Sequence, residues 1–175
     1  MFFRIKKVKG KEYGYEVENR WIHNGCKQKV KGYLGRVHKF RLMSDISFLQ
    51  FLKIEDFESY SNSKDTHKMI IDLIDWELFR FDVNKAEFSI DLRNAVVRRG
   101  NKNVALAIND GLMCSATLRN LINIKTIGDE QNDGYRLARA CVEAGLKVPQ
   151  EVFVVLFNKI FPTRDVGTND LEWLK

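Results

Sequence analysis

Lys27, Lys29, Lys31 and Tyr33 occupy alternate positions, and Arg36, Lys39 and Arg41 carry the charge on past them. In an extended strand alternate side chains share one face, so this spacing lays a row of cations along a line and ends it on an aromatic ring. Such a row matches a phosphate backbone, with the ring available to stack on a base. Arg4 and Lys6 repeat the pattern near the N-terminus. The lysines have a second use, because cations on an edge strand keep it from pairing with another chain. What weighs for the polyanion is the charge distribution. Residues 1–42 hold 12 Lys and Arg against 3 Glu, a net of +9, whereas the rest of the chain holds 17 basic and 20 acidic residues, a net of −3.

Other chemistry-bearing residues do not assemble into a pattern. Asp72 and Asp75 lie one helical turn apart, a pair that surface helices carry routinely. Glu87, Asp91 and Asp110 are the set a metal-dependent nuclease would draw on, yet no Lys follows an acidic residue at the usual nuclease spacing, Asp91-Leu92-Arg93 being the nearest approach. His23, His38 and His67 fall in different elements, and His38 lies in a basic run where a phosphate contact is open to it. Cys26, Cys114 and Cys141 are widely spaced, which argues against zinc and for burial as small hydrophobes. The glycines are isolated turn or strand residues and form no phosphate loop. No catalytic residue, metal or cofactor is expected.

The elements that must position the basic residues begin with a hairpin signal, Asn24-Gly25. A turn there pairs His23 with Cys26, Trp21 with Gln28, Val17 with Gly32 and Tyr15 with Leu34. A loop of about three residues around Gly10 brings in Phe2–Val8, with Ile5 opposite Tyr15, Phe3 opposite Val17 and Arg4 opposite Glu16. One face is then apolar, with Phe3, Ile5, Tyr13, Tyr15, Val17, Trp21, Val30 and Leu34. The other carries Arg4, Lys6, Arg20, Lys27, Lys29, Lys31 and Tyr33 among Glu12, Glu16 and Glu18. Beyond Met43, short helical segments precede a strong helix from Asp65 or Thr66 to Phe81. A second hairpin or meander follows over 87–108, then a helix near 113–124 and a loop over 128–133. Tyr135–Ala144 and Gln150–Phe161 read as closing helices, with Pro149 at the first position of the last. That helix is too apolar to read bases, so the pair is core rather than helix-turn-helix. The tail from Thr163 is expected to fray, with Trp173 able to dock.

Residues 2–36, "FFRIKKVKGKEYGYEVENRWIHNGCKQKVKGYLGR", resemble the N-terminal region of some insertion-sequence transposases, through Tyr13, Tyr15, Val17, Glu18, Gln28, Tyr33, Leu34 and Gly35. The resemblance implies a small β module in contact with DNA; the catalytic core has no counterpart in the remainder. With its segments "LAINDGLMCSATLRNLINI" and "GYRLARACVEAGLKVPQEVF", the whole chain resembles a group of archaeal proteins to which no activity is attached.

The expected fold is α+β, a basic three-stranded antiparallel module over 1–42 packed on a helix-rich part over 43–175 that contains the second hairpin. The expected function is non-catalytic nucleic-acid binding through Arg4, Lys6, Lys27, Lys29, Lys31, Tyr33, Arg36, Lys39 and Arg41, on DNA or RNA. A small metal-dependent nuclease is the enzyme alternative. An oligomeric interaction scaffold, a homodimer through the apolar C-terminal helix, is a third. The longest apolar run, Val152–Phe157, is too short to cross a bilayer, and the N-terminus has no signal-peptide pattern, so a cytoplasmic location is expected.

Overall fold

The computed structural model describes residues 2–23 and 25–162. Three strands come first, β1 (Phe2–Val8), β2 (Lys11–Ile22) and β3 (Gly25–Lys39), then three helices, α1 (Phe48–Leu52), α2 (Phe57–Ser63) and α3 (Thr66–Arg80). Four strands follow, β4 (Phe88–Asp91), β5 (Val96–Arg99), β6 (Lys102–Ile108) and β7 (Gly111–Met113). Helices α4 (Ser115–Ile122), α5 (Glu130–Glu143) and α6 (Gln150–Ile160) close the chain. The fold is α+β, and among the described residues no helix is long and apolar enough to cross a membrane.

The N-terminal strands do not make a sheet of their own. They are one end of a seven-stranded sheet ordered β1-β2-β3-β6-β5-β4, with β7 also pairing β6. The junction is parallel: Arg36, Val37, His38 and Lys39 lie opposite Val104, Ala105, Leu106 and Ala107. Gly35 makes the junction possible, because at φ 104° a β-carbon there would run into the carbonyl of Asn103. The module therefore joins the rest of the chain edge to edge, where face-to-face packing was expected.

Register decides which side chains share a face, and it differs from expectation in both hairpins. Lys9 and Gly10 have φ of 49° and 77°, the pair of left-handed residues that closes a two-residue hairpin turn. The shorter loop slides β1 by one residue, so Arg4 lies opposite Tyr15 and Phe3 opposite Glu16. A one-residue slip exchanges faces. In the second hairpin Ile22 pairs with Gly25 and Trp21 with Cys26, a slide of two that keeps the faces. Register shifts between Gly14 and Tyr15 and between Glu16 and Val17 then leave Leu34 and Lys31 as bulged residues of β3.

The expected inner face is split by these changes. Val17 and Leu34 are buried, while Ile5 and Val30 are exposed and Trp21 is 84% exposed. Leu34 and Val37 pack with Ala105, Leu112 and Cys114 in a small cluster that Phe3 and Ala116 cover. The main core takes the other face of β6 through Val104, Leu106 and Ile108, with Met69, Leu73 and Trp76 of α3 and Val152 and Leu156 of α6. Burying a side chain such as Leu73 contributes about 1.5–3 kcal/mol.

Helix ends follow local chemistry. Asp65 caps α3 by accepting the Lys68 amide at 2.7 Å. Asp129 accepts the Asn132 amide at 2.9 Å, so α5 starts at Glu130 and absorbs most of the expected loop. Pro149 is the N-cap of α6, one position before the expected place. Ser61-Asn62-Ser63 is the end of α2, where the Ser61 and Ser63 hydroxyls donate to the carbonyls of Glu58 and Tyr60. The tail from Thr163 and the docking of Trp173 lie outside the described residues.

Candidate nucleic-acid interface

The one-residue slide of β1 and the bulge at Lys31 together build a face that simple alternation does not produce. By register Arg4 shares a side of the sheet with Tyr15, Lys6 with Tyr13, Tyr15 with Tyr33, and Tyr13 with Arg36. The Tyr33 ring lies 5.5 Å from that of Tyr15 and 6.3 Å from that of Tyr13. The Lys6 ammonium sits 5.5 Å from the centre of the Tyr15 ring, and Arg4 donates to the Gln28 amide oxygen at 2.6 Å. Three phenol rings thus stand together in a field of cations. Burial, and then the neighbouring Tyr13 and Tyr15, push the Tyr33 phenol above its ordinary pKa.

The lysine row lies on the opposite face. Lys27 and Lys29 pair with Arg20 and Glu18, whose side chains point away from the tyrosines. Lys31 is ion-paired with Glu18 at 3.2 Å, and Lys39 with Glu12 at 2.8 Å. Arg41 follows the end of β3 and is exposed. Of the nine predicted binding residues, Arg4, Lys6, Tyr33 and Arg36 come together; Lys27, Lys29, Lys31, Lys39 and Arg41 do not join them. The bulge is the reason, because an extra residue between Val30 and Gly32 takes Tyr33 off the face of Lys27 and Lys29.

Beyond Tyr33 the face deepens into a cleft of about 600 Å³. One wall comes from the N-terminal strands, with Lys11, Tyr13, Tyr33, Arg36 and His38; the other comes from the β5–β6 hairpin, with Arg99, Lys102, Asn103 and Val104. Among the described residues no carboxylate lines it. Arg99 is ion-paired with Glu87, and its guanidinium lies 5.6 Å from the Phe88 ring centre. The His38 ring meets Phe88 edge-on at 5.1 Å. Desolvation, then the charges of Arg36 and Arg99, hold the His38 imidazole below its ordinary pKa, with Glu87 pulling the other way. Lys11, Tyr13, His38, Arg99, Lys102 and Asn103 were not among the predicted site residues. A signal for two of them, Arg99 and Lys102, exists in Arg98-Arg99-Gly100-Asn101-Lys102, a basic turn concealed by the acidic balance of residues 43–175.

Glu87, Asp91 and Asp110 have separate surroundings. Glu87 is paired with Arg99, both Asp91 oxygens accept hydrogen bonds from Asn94, and Asp110 lies in the exposed turn before β7. Among the described residues no group of three or more His, Cys, Asp or Glu side chains is arranged to hold a metal ion. Cys114 and Cys141 are buried as expected, and burial pushes the Cys141 thiol up to about 12; Cys26, across from Trp21, is exposed. A second basic groove holds Arg119, Arg136 and Arg139, but Arg136 is ion-paired with Asp133 and Arg139 with Glu143.

Comparison with known proteins found no family model that matches the chain, and no curated protein or solved structure similar to it.

Proposed function

We propose that the protein binds nucleic acid without catalysis, through the tyrosine and cation face of its N-terminal strands. The observation that carries this reading is the placing of Tyr13, Tyr15 and Tyr33 together beside Lys6 and Arg36, at the mouth of a cleft that no carboxylate among the described residues lines. Phosphates are drawn by summed positive charge, and bases stack on aromatic rings whatever their sequence. The resemblance of residues 2–36 to a transposase β module accords with this reading.

The test is affinity for single- and double-stranded probes at two salt concentrations. Each phosphate contact releases roughly one counterion, so changing Lys6, Arg36 and Lys102 together to Ser lowers the salt slope of log K by about 2 to 3, evenly across sequences. A chain that binds neither kind of probe at low salt, or a triple variant with an unaltered slope, would overturn the proposal.

A further inference from the structure

We propose that the cleft between β3 and the β5–β6 hairpin is a subsite for one nucleotide of a single strand, with the base against Tyr33 and its phosphate among Arg36, Arg99 and Lys102. This inference rests on the nucleic-acid reading above and narrows it to a substrate class.

Shape argues for a strand that is not paired. At about 600 Å³ the cleft falls within the usual size of small-ligand sites, and it is concave, whereas a duplex presents its phosphates on a convex surface with the bases stacked inside. An aromatic ring reaches the face of a base only when that base is already unstacked. Tyr33 meets the requirement: its side chain is backed by Tyr13 and Tyr15 and still 58% exposed.

Charge argues for a phosphate at the inner end. Arg36 comes from β3, Arg99 from β5 and Lys102 from β6, so three separate elements aim cations at one space. Arginine forks suit phosphate oxygens; Arg99 already pairs with Glu87, whose carboxylate is not among the residues that line the cleft, so a phosphate there shares the guanidinium with it. Asn103, also lining it, brings an amide that both donates and accepts, the chemistry needed at a base edge.

The experiment uses the full chain and three probes: a thymidine hexanucleotide, a hairpin-capped duplex with no free ends, and adenosine monophosphate with inorganic phosphate as its control. Binding is followed by anisotropy for the labelled nucleic acids and by the His38 imidazole proton signals for the small ligands. The hexanucleotide is expected to bind at least tenfold more tightly than the mononucleotide, and the mononucleotide to move the His38 signals where phosphate alone does not. Tyr33→Ala should weaken the hexanucleotide by about 5- to 150-fold and leave the duplex within about twofold. Lys102→Ser, at the exposed first position of β6, should weaken it as well and guards against a folding artefact at Tyr33.

Equal shifts from phosphate and mononucleotide would reduce the cleft to a plain anion site and overturn the proposal. Mononucleotide binding as tight as the hexanucleotide would identify a free-nucleotide pocket and overturn the strand assignment. Duplex binding that Tyr33→Ala and Lys102→Ser leave untouched, with no hexanucleotide binding, would remove the subsite while sparing the wider function. Failure of every probe would remove both.

Discussion

The ring of Tyr33 lies 5.5 Å from that of Tyr15, directly opposite it in the β2–β3 ladder, and the pair sits between two bulged residues, Lys31 and Leu34. Each bulge adds one residue to β3 and turns the alternation over. The first turns Tyr33 away from Lys27 and Lys29; the second lets Gly35 and Arg36 meet Gly14 and Tyr13. The bulges are thus what separates an aromatic, cationic face from a face of mixed charge.

The two faces should behave differently toward polyanions. Lys27, Lys29 and Lys31 share their side with Arg20, Glu16 and Glu18, and Lys31 is already paired. Changing all three to Ser should leave the salt slope of single-strand binding within about half a unit, against the drop of roughly 2 to 3 expected from Lys6, Arg36 and Lys102. Equal drops from both triple variants, measured by anisotropy over a salt series, would show that binding is spread over the whole module and not confined to one face.

His38 gives the site a pH dependence with a definite sign. Its imidazole is held below the ordinary value of 6.5, by desolvation first and then by Arg36 and Arg99. A base whose folded pKa is depressed is uncharged in the native state while the unfolded chain takes up its proton, so its contribution to stability is whole above 6.5 and is lost as pH falls toward the folded value. A bound phosphate acts in reverse, favouring the imidazolium. Affinity for the hexanucleotide should therefore rise as pH falls below 6.5, while the unbound protein loses some thermal stability over the same range. Both trends should be absent in His38→Gln, and persistence of either would assign the titration to another group.

The sequence made the element types legible because they rest on local signals. Asp65 before a broad apolar period marks the start of α3, and alternation marks β1 to β3. What stayed hidden depends on counting residues between elements. A two-residue turn at Lys9-Gly10 in place of a three-residue loop is a difference of one, yet it moves Arg4 and Lys6 onto the tyrosine face. The bulge at Lys31 has no mark of its own, since the uninterrupted pattern from Lys27 to Tyr33 reads as plain alternation. The parallel pairing of β3 with β6 joins segments more than sixty residues apart, and nothing local announces it. The second wall of the cleft depends on that pairing, so Arg99 and Lys102 were beyond reach of a reading confined to residues 1–42.

Gly35 is the place where fold and site meet, and its replacement tests both. At φ 104° the residue occupies backbone that L side chains rarely adopt, and its missing β-carbon leaves room for the Asn103 carbonyl and the Val104 α-carbon 2.8 Å away. Gly35→Ala must push β3 and β6 apart at the point where they begin to pair. Strain of this kind costs on the order of 1–3 kcal/mol before the clash is added, so a loss of at least about 2 kcal/mol in denaturant unfolding is expected. Because Arg36 and His38 stand on one side of the junction and Arg99 and Lys102 on the other, the same change should open the cleft and weaken the hexanucleotide about tenfold or more. Gly128→Ala is the matched control: Gly128 also has positive φ, but nothing lies within 4 Å of its β-carbon position, and it sits in the turn before α5, away from the residues that line the cleft. It should lower stability through the turn alone and leave hexanucleotide affinity, measured where both variants are folded, within about twofold. Equal losses of affinity in the two variants would mean that general destabilisation, and not the β3–β6 junction, governs binding.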